Sequence, residues 1–208
     1  MRLTEELLDQ MMENSYQNFH VKGFDYLCLF RTPSWTRKVY FFEGDITKLP
    51  EIVSPHDHRY NFRTSILLGS CSNSIYLEND EYGKVYQEFD WETPLNGGDG
   101  FKWVKETRLF ERRRDFYVPG DTYFLRHHEM HTIRMHSDET ILLLDQYTSL
   151  VGDTPTKTFH PEKEPPSLDG IYEKFTPDRL LERIEQLDRL TKGSLDVLLG
   201  VCPANKNP

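Results

Sequence analysis

Cysteine is scarce in this chain. Three occur in 208 residues, Cys28, Cys71 and Cys202, odd in number and far apart. That argues against a disulfide framework, and none of the spacings is the C-x-x-C of a zinc or redox motif. Long apolar runs are missing too. Nothing approaches the roughly 20 residues that cross a bilayer as a helix, so no membrane partner is expected. Positive charge is in the minority, with 25 Lys and Arg against 34 Asp and Glu and a net charge of -9. A general affinity for nucleic-acid backbones is therefore not expected. The first residues, Met1-Arg2-Leu3-Thr4-Glu5-Glu6, carry acids where a secretory leader needs bases and an apolar stretch. A soluble, cytoplasmic protein is the expectation. There is also no G-x-S-x-G nucleophile elbow and no Walker lysine motif.

What is present is a strand-rich pattern between two helices. The length suits a single domain over 1–208, with an N-terminal helix and linker at 1–23, a β-core at 24–151 and a surface loop plus C-terminal helix at 152–208. Thr4 can cap a helix over 4–14, with Glu5 and Glu6 in its first turn and Leu7, Leu8, Met11 and Met12 on one face. Beyond Gly23, aromatic and β-branched residues predict strands at 24–31, 38–42, 62–68, 73–78, 84–89, 101–110, 114–118, 121–125, 130–135 and 140–147. Many short strands punctuated by Gly, Asn and Asp imply an antiparallel sandwich or barrel. The segment 92–100, with Gly97, Gly98 and Gly100, reads as a flexible hairpin tip, since a phosphate-cradling loop would need a helix after it. The basic run Arg112-Arg113-Arg114 beside Glu111 and Asp115 reads as a solvated hairpin end. Residues 152–170, rich in proline and charge, should run over the surface. Thr176-Pro177-Asp178 starts a second helix, with Leu180, Ile184, Leu187 and Leu190 on one face and Lys192-Gly193 at its end. It is expected to pack on the β-core, with a homodimer contact as the alternative.

The chemistry gathers around histidine. In Pro55-His56-Asp57-His58-Arg59-Tyr60 two histidines lie two apart on an extended segment, so their imidazoles share a side. His131 arrives some seventy residues later in another strand-like segment. Three neutral imidazoles from neighbouring strands can hold Fe, Zn, Cu, Mn or Ni. A bare H-x-H is more often a pair of surface or satisfied core histidines, so its surroundings decide. Tyr60 shares the parity of His58 and is a candidate catalytic group, as is His127, which shares the parity of His131. Tyr123 and Tyr147 are further inward candidates. Arg59, Arg63, Arg126 and Arg134 flank the motifs, and an arginine fork can grip a substrate carboxylate. Arg126 and Arg63 are the substrate-binding candidates, although the alternation that turns Arg59 away from His58 also allows Arg63 to face outward. His136 and His160 are expected to be solvated, and His20 carries no motif.

Taken in order, these segments resemble the two motifs of the cupin superfamily. The first reads His56-Asp57-His58, then Phe62-Arg63, then Gly69. The second reads Gly120-Asp121 through His127-His128-Glu129-Met130-His131. The resemblance covers about residues 37–148 and implies a mostly-β fold, a double-stranded β-helix or jelly roll, with the terminal helices outside it. It implies that His56, His58 and His131 bind a metal. The chain departs from the pattern in lacking the motif glutamate, where Phe62 or Arg63 stands, and in having Arg126 and His128 at the usual proline and glycine. A carboxylate-free, three-histidine shell resembles the cysteine dioxygenase branch, which implies Fe(II), with Zn, Ni or Mn as alternatives, and oxidation of a small anionic thiol or amino acid by O2. No cysteine falls at the place of that branch's cysteine–tyrosine cross-link, since Cys71 lies beyond Gly69. The alternative from another class is a non-oxidative cupin, an isomerase or a small-molecule sensor.

Overall fold

Both helix starts follow from their caps. In the computed structural model, which describes residues 4–192 and Leu198, Thr4 accepts the N–H of Leu7 at 3.2 Å and opens α1 (Glu5–Asn14). Thr176 accepts the N–H of Arg179 at 3.3 Å and opens α2 (Pro177–Leu190), with Pro177 in its first turn. The C-terminal end of this helix is at Thr191, and Gly193 and Cys202 lie outside the described residues. Neither helix is long and apolar enough to cross a membrane.

Among the described residues twelve strands lie between and around them. They are β1 (Tyr16–Gln17), β2 (Phe24–Arg31), β3 (Trp35–Glu43), β4 (Tyr60–Leu68), β5 (Cys71–Glu78) and β6 (Lys84–Glu92), then β7 (Gly100–Tyr117), β8 (Thr122–Leu125), β9 (Met130–Met135), β10 (Glu139–Ser149), β11 (Thr156–His160) and β12 (Glu173–Lys174). All pair antiparallel, in a larger sheet ordered β12-β1-β2-β3-β10-β4-β8 and a smaller one ordered β11-β6-β7-β5-β9. This is the jelly roll that the motif pattern implied, with a helix at each end. Gly69 (φ 72°) carries the chain from the larger sheet to the smaller. A Cβ there would meet the Glu139 carbonyl oxygen at 2.3 Å, so the turn requires glycine.

The larger sheet is covered on both faces, which explains why β2, β3 and β10 are buried in near-continuous runs. Its inner face, with Phe42, Phe62, Ile66, Leu142 and Leu144, packs toward Ile75 and Met135 of the smaller sheet. Its outer face, with Leu27, Val39, Phe41 and Ile141, is covered by Met11 of α1 and by Leu180, Ile184 and Leu187 of α2.

Three local readings change. The expected strands at 101–110 and 114–118 are one strand, β7, which pairs with β6 over Gly100–Leu109 and with β5 over Leu109–Tyr117. The Arg112-Arg113-Arg114 run therefore sits inside a strand, at a bulge opposite Ile75 and Tyr76, with Arg114 2.6 Å from Glu111 and Arg113 2.7 Å from Asp115. The segment 92–100 is the expected hairpin tip, joining the antiparallel β6 and β7, and it holds a 3-10 turn at Pro94–Asn96, capped by Thr93 and closed by Gly97 in the left-handed region. The stretch expected to be surface loop contains β11, an edge strand of the smaller sheet with Phe159 and His160 buried.

Candidate metal centre

The missed strand is what positions the H-x-H segment. Phe159 N–H donates to the Pro55 carbonyl, Asp57 N–H to that of Lys157, and Lys157 N–H to Asp57 Oδ1 at 2.7 Å. On the other side His56 and His131 exchange backbone hydrogen bonds of 3.0 and 2.9 Å. His56 thus bridges to β9 and β11, the two edge strands of the smaller sheet, which curls until both edges reach one residue. The His58 N–H then donates to the His127 carbonyl at 2.8 Å.

The result is a three-histidine cluster. His56, His58 and His131 each offer a ring nitrogen within 4.8 Å of the others, and the Nε2 atoms of His58 and His131 stand 2.9 Å apart. Two of the rings are oriented from behind. His56 Nδ1 lies 2.8 Å from the Ser54 carbonyl oxygen, and His131 Nδ1 lies 2.6 Å from Oδ1 of the buried Asn73. A carbonyl-type oxygen can only accept, so each Nδ1 carries the proton and each Nε2 lone pair is left free. Truncating that support should be costly. Asn73→Ala is expected to lower metal affinity about 10–100-fold with the fold intact, as read by competition with a chromophoric chelator.

Phe62 occupies the flank where the superfamily motif has glutamate. Its ring centre is 4.7 Å from that of His58 and 5.8 Å from that of His131, while Arg63, one residue on, is exposed. The donor set here is neutral. Burial, and for His58 the neighbouring His56 and His131, hold the pKa of His58 and His131 well below 6.5; burial also lowers that of His56. All three stay in the unprotonated form that binds metal.

These depressed values fix a sign for stability. As pH falls below about 6.5 the unfolded chain takes up protons that the folded cluster refuses, so stability is lost on acidification, by up to about 1.4 kcal/mol per histidine per pH unit. Asp57, whose pKa burial pushes up to about 6, works in the opposite direction with one proton. Metal-free protein should therefore unfold at clearly lower urea concentration at pH 5 than at pH 7. Equal midpoints would contradict the buried, neutral cluster.

The histidines open into a cavity of about 690 Å³ between the sheets. Tyr60, on β4, lines it beside His58, with ring centres 5.6 Å apart, and burial pushes its pKa up to about 12. Tyr123 also lines it. Tyr147 does not, because Leu142, Leu144 and Gln146 take the inward positions of β10 and Tyr147 alternates away, 6.2 Å from the ring of the exposed Phe124. One wall comes from 166–172, including Pro166, Leu168 and Tyr172.

Several expected site residues are placed elsewhere. Arg63 alternates outward from Phe62 and Thr64. Arg126 is exposed in the turn after β8, where its N–H donates to Glu129 Oε2 at 2.8 Å. His127 is in the same turn, held by Asn61 through its backbone N–H and its ring, so the parity with His131 never reaches it. Neither Arg63, Arg126 nor His127 lines the cavity. Conversely, His160 is buried rather than solvated: it lines the cavity, with Nδ1 2.9 Å from Ser54 Oγ, and burial followed by the charge of His56 pushes its pKa down to about 4. His20 and Arg31 line the cavity as well, as does Lys38, whose ammonium contacts Gln146 and Tyr60. None of these carried a motif. The signal for Lys38 was alternation along β3, where Lys38, Tyr40 and Phe42 share the inner face.

No family model and no curated protein matches the sequence. Among solved structures, the hydroxypropylphosphonic acid epoxidase from S. wedmorenis is 17% identical with a TM-score of 0.40, over 66% of this chain and 58% of its own. The DMSP lyase DddQ from Ruegeria pomeroyi DSS-3 is 17% identical with a TM-score of 0.40, over 69% and 55%. An RmlC-like cupin from Shewanella frigidimarina NCIMB 400 is 13% identical with a TM-score of 0.37, over 66% and 87%. The match thus spans little more than half of the epoxidase and lyase chains. These likenesses say nothing of this chain's chemistry, which rests on its own residues. Fold and site together make this an antiparallel jelly roll with a three-histidine cluster at the wall of its cavity.

Proposed function

We propose that this chain is a mononuclear, Fe(II)-dependent dioxygenase acting on a small anionic substrate such as a thiol or an amino acid. The observation that supports it is the His58–His131 spacing of 2.9 Å, beside a third imidazole, at the wall of a cavity. Two nitrogens about 2.1 Å from one ion and at right angles to it sit about 3.0 Å apart, so the pair has the spacing of adjacent ligands. Zn, Ni or Mn would suit the same nitrogens. A ferrous ion held there would supply open positions for substrate and for O2, with its double positive charge unreduced by any protein carboxylate.

The remaining residues have defined tasks in this reading. Asn73 and the Ser54 carbonyl keep the imidazoles in one tautomer. Phe62 keeps a carboxylate and water from that flank. Tyr60, protonated at neutral pH, offers a hydroxyl inside the cavity beside His58. Taking a thiol to its sulfinic acid adds both atoms of one O2 to sulfur and consumes no other reductant.

A non-oxidative lyase or isomerase is the second reading. It is favoured by the pairing of Tyr60 Oη with Lys38 Nζ at 3.4 Å in the same cavity, two groups suited to proton transfer. One experiment separates the two. Fe(II)-loaded protein is given a panel of thiols and amino acids in an oxygen electrode, with products followed by mass. Substrate-dependent O2 uptake with a mass gain of two oxygens supports the dioxygenase. Turnover without O2 uptake supports the lyase or isomerase.

A further inference from the structure

Lys38 is out of place by ordinary rules of burial. The residue is 3% exposed, inside a strand, and a buried ammonium is costly unless a carboxylate neutralises it. Among the described residues no carboxylate pairs with it. Its Nζ is 2.8 Å from Gln146 Oε1 and 3.4 Å from Tyr60 Oη, both neutral. The rest of its surroundings are aromatic faces, with the rings of Tyr26, Tyr40 and Tyr60 centred 5.2, 5.5 and 5.3 Å away. The neighbouring cavity cation, Arg31, is turned to the Tyr26 hydroxyl at 2.9 Å. Lys38 and Arg31 thus both line the cavity, as do Arg59 and Lys157. The cavity's acid, Asp57, accepts from the β11 backbone.

We propose that Lys38 is the anchor for the anionic end of the substrate, a carboxylate that enters the cavity and lies about one aromatic ring away from the three histidines. This rests on the metal-site reading for the substrate's other end. The spacing comes from Tyr60, whose ring neighbours both, 5.3 Å from Lys38 Nζ and 5.6 Å from the His58 ring. An ammonium has three donors, and the structure fills two of them, one at a long distance, so a carboxylate oxygen completes the set with a charge-assisted bond. Of the arginines that flank the motifs, Arg63 and Arg126 do not line this cavity. Arg59, expected to turn away, does line it but donates to the Gly152 carbonyl at 2.6 Å, and the lining Lys157 is paired with Glu78 and Glu88, so the cation left to meet an anion is Lys38 of β3. Burial, followed by the charge of Arg31, pushes the Lys38 pKa down to about 7. An arriving carboxylate therefore also gains by holding the ammonium protonated.

The test uses succinate, glutarate and adipate, each titrated against its diamide by calorimetry, on the full metal-loaded chain and on K38M and K38R. The wild type is expected to prefer at least one diacid over its diamide by tenfold or more. K38M, which replaces the ammonium by an apolar chain of similar length, should lose that preference, keep its affinity for the diamide, and melt no lower than wild type. K38R should retain part of the preference. Equal binding of acid and amide by wild type, or an undiminished preference in K38M, would overturn the proposal. Metal content measured on the same samples reads the metal centre separately. If the wild type holds no stoichiometric metal, that reading fails, and the acid-to-amide ratio of the metal-free chain still decides the role of Lys38.

Discussion

His58→Ala is expected to give a folded protein that loads almost no metal. His58 supplies one of three nitrogens, and its Nε2 stands closest to that of His131. Loss of a mere supporting hydrogen bond behind a ligand costs about 10–100-fold in metal affinity, and loss of the ligand itself should exceed that. The fold has reason to survive. The His58 ring is neutral and partly open to the cavity, its backbone N–H still donates to the His127 carbonyl, and the sheets close over Phe62, Ile66, Leu142 and Leu144 without it. Metal analysis after dialysis, together with a circular-dichroism melt, checks both halves. Stoichiometric metal in His58→Ala would remove this histidine from the site.

The second large effect is on stability and should leave the metal alone. Arg183 of α2 is buried over the outer face of the larger sheet, with its guanidinium 2.7 and 3.0 Å from Asp25 Oδ2, bonded to Glu43 and 4.6 Å above the Phe41 ring. Arg183→Ala would leave the Asp25 carboxylate, 7% exposed, with Arg179 at 3.2 Å as its remaining cation. Breaking a buried pair from one side costs about 3–5 kcal/mol, and at about 2–4 °C per kcal/mol for a chain of this size the melting temperature should fall by roughly 6–20 °C. The double variant Asp25→Asn with Arg183→Met should recover much of that loss, because it removes the stranded charge. Thermal melts and metal content are the measurements. A drop under about 2 °C, or loss of metal along with stability, would contradict the assignment of this network to α2 docking.

What the sequence made legible was mostly local. Thr4 and Thr176 stand at helix caps, Gly69 at a turn that admits no side chain, and the β2 and β9 limits at 24–31 and 130–135 fall where the strand pattern put them. The three histidines came together because period-two alternation and a Gly-Asp turn both survive folding unchanged. What was not legible depended on distant pairing. Thr156–His160 lies in a stretch rich in proline and charge, and becomes a strand because Phe89 and Glu88 of β6, some seventy residues earlier, pair with it. Without β11, the clamp on His56 and Asp57 and the burial of His160 could not be foreseen. Lys38 was hidden for a related reason. Its sheet is buried on both faces, so Trp35–Glu43 shows no polar side to reveal which residues look inward. The parity of His127 with His131 was counted through 126–129, which is a turn, and Arg126, taken from the motif's usual proline position, is exposed in that same turn.

The most direct test of the three-histidine centre is anomalous diffraction from crystals of the purified, metal-loaded protein, collected on either side of the metal's absorption edge. One strong peak is expected, with His56, His58 and His131 nitrogens each about 2.0–2.3 Å from it and no carboxylate bound. A peak at another position, a carboxylate among the ligands, or no peak between three imidazoles that point apart would contradict it.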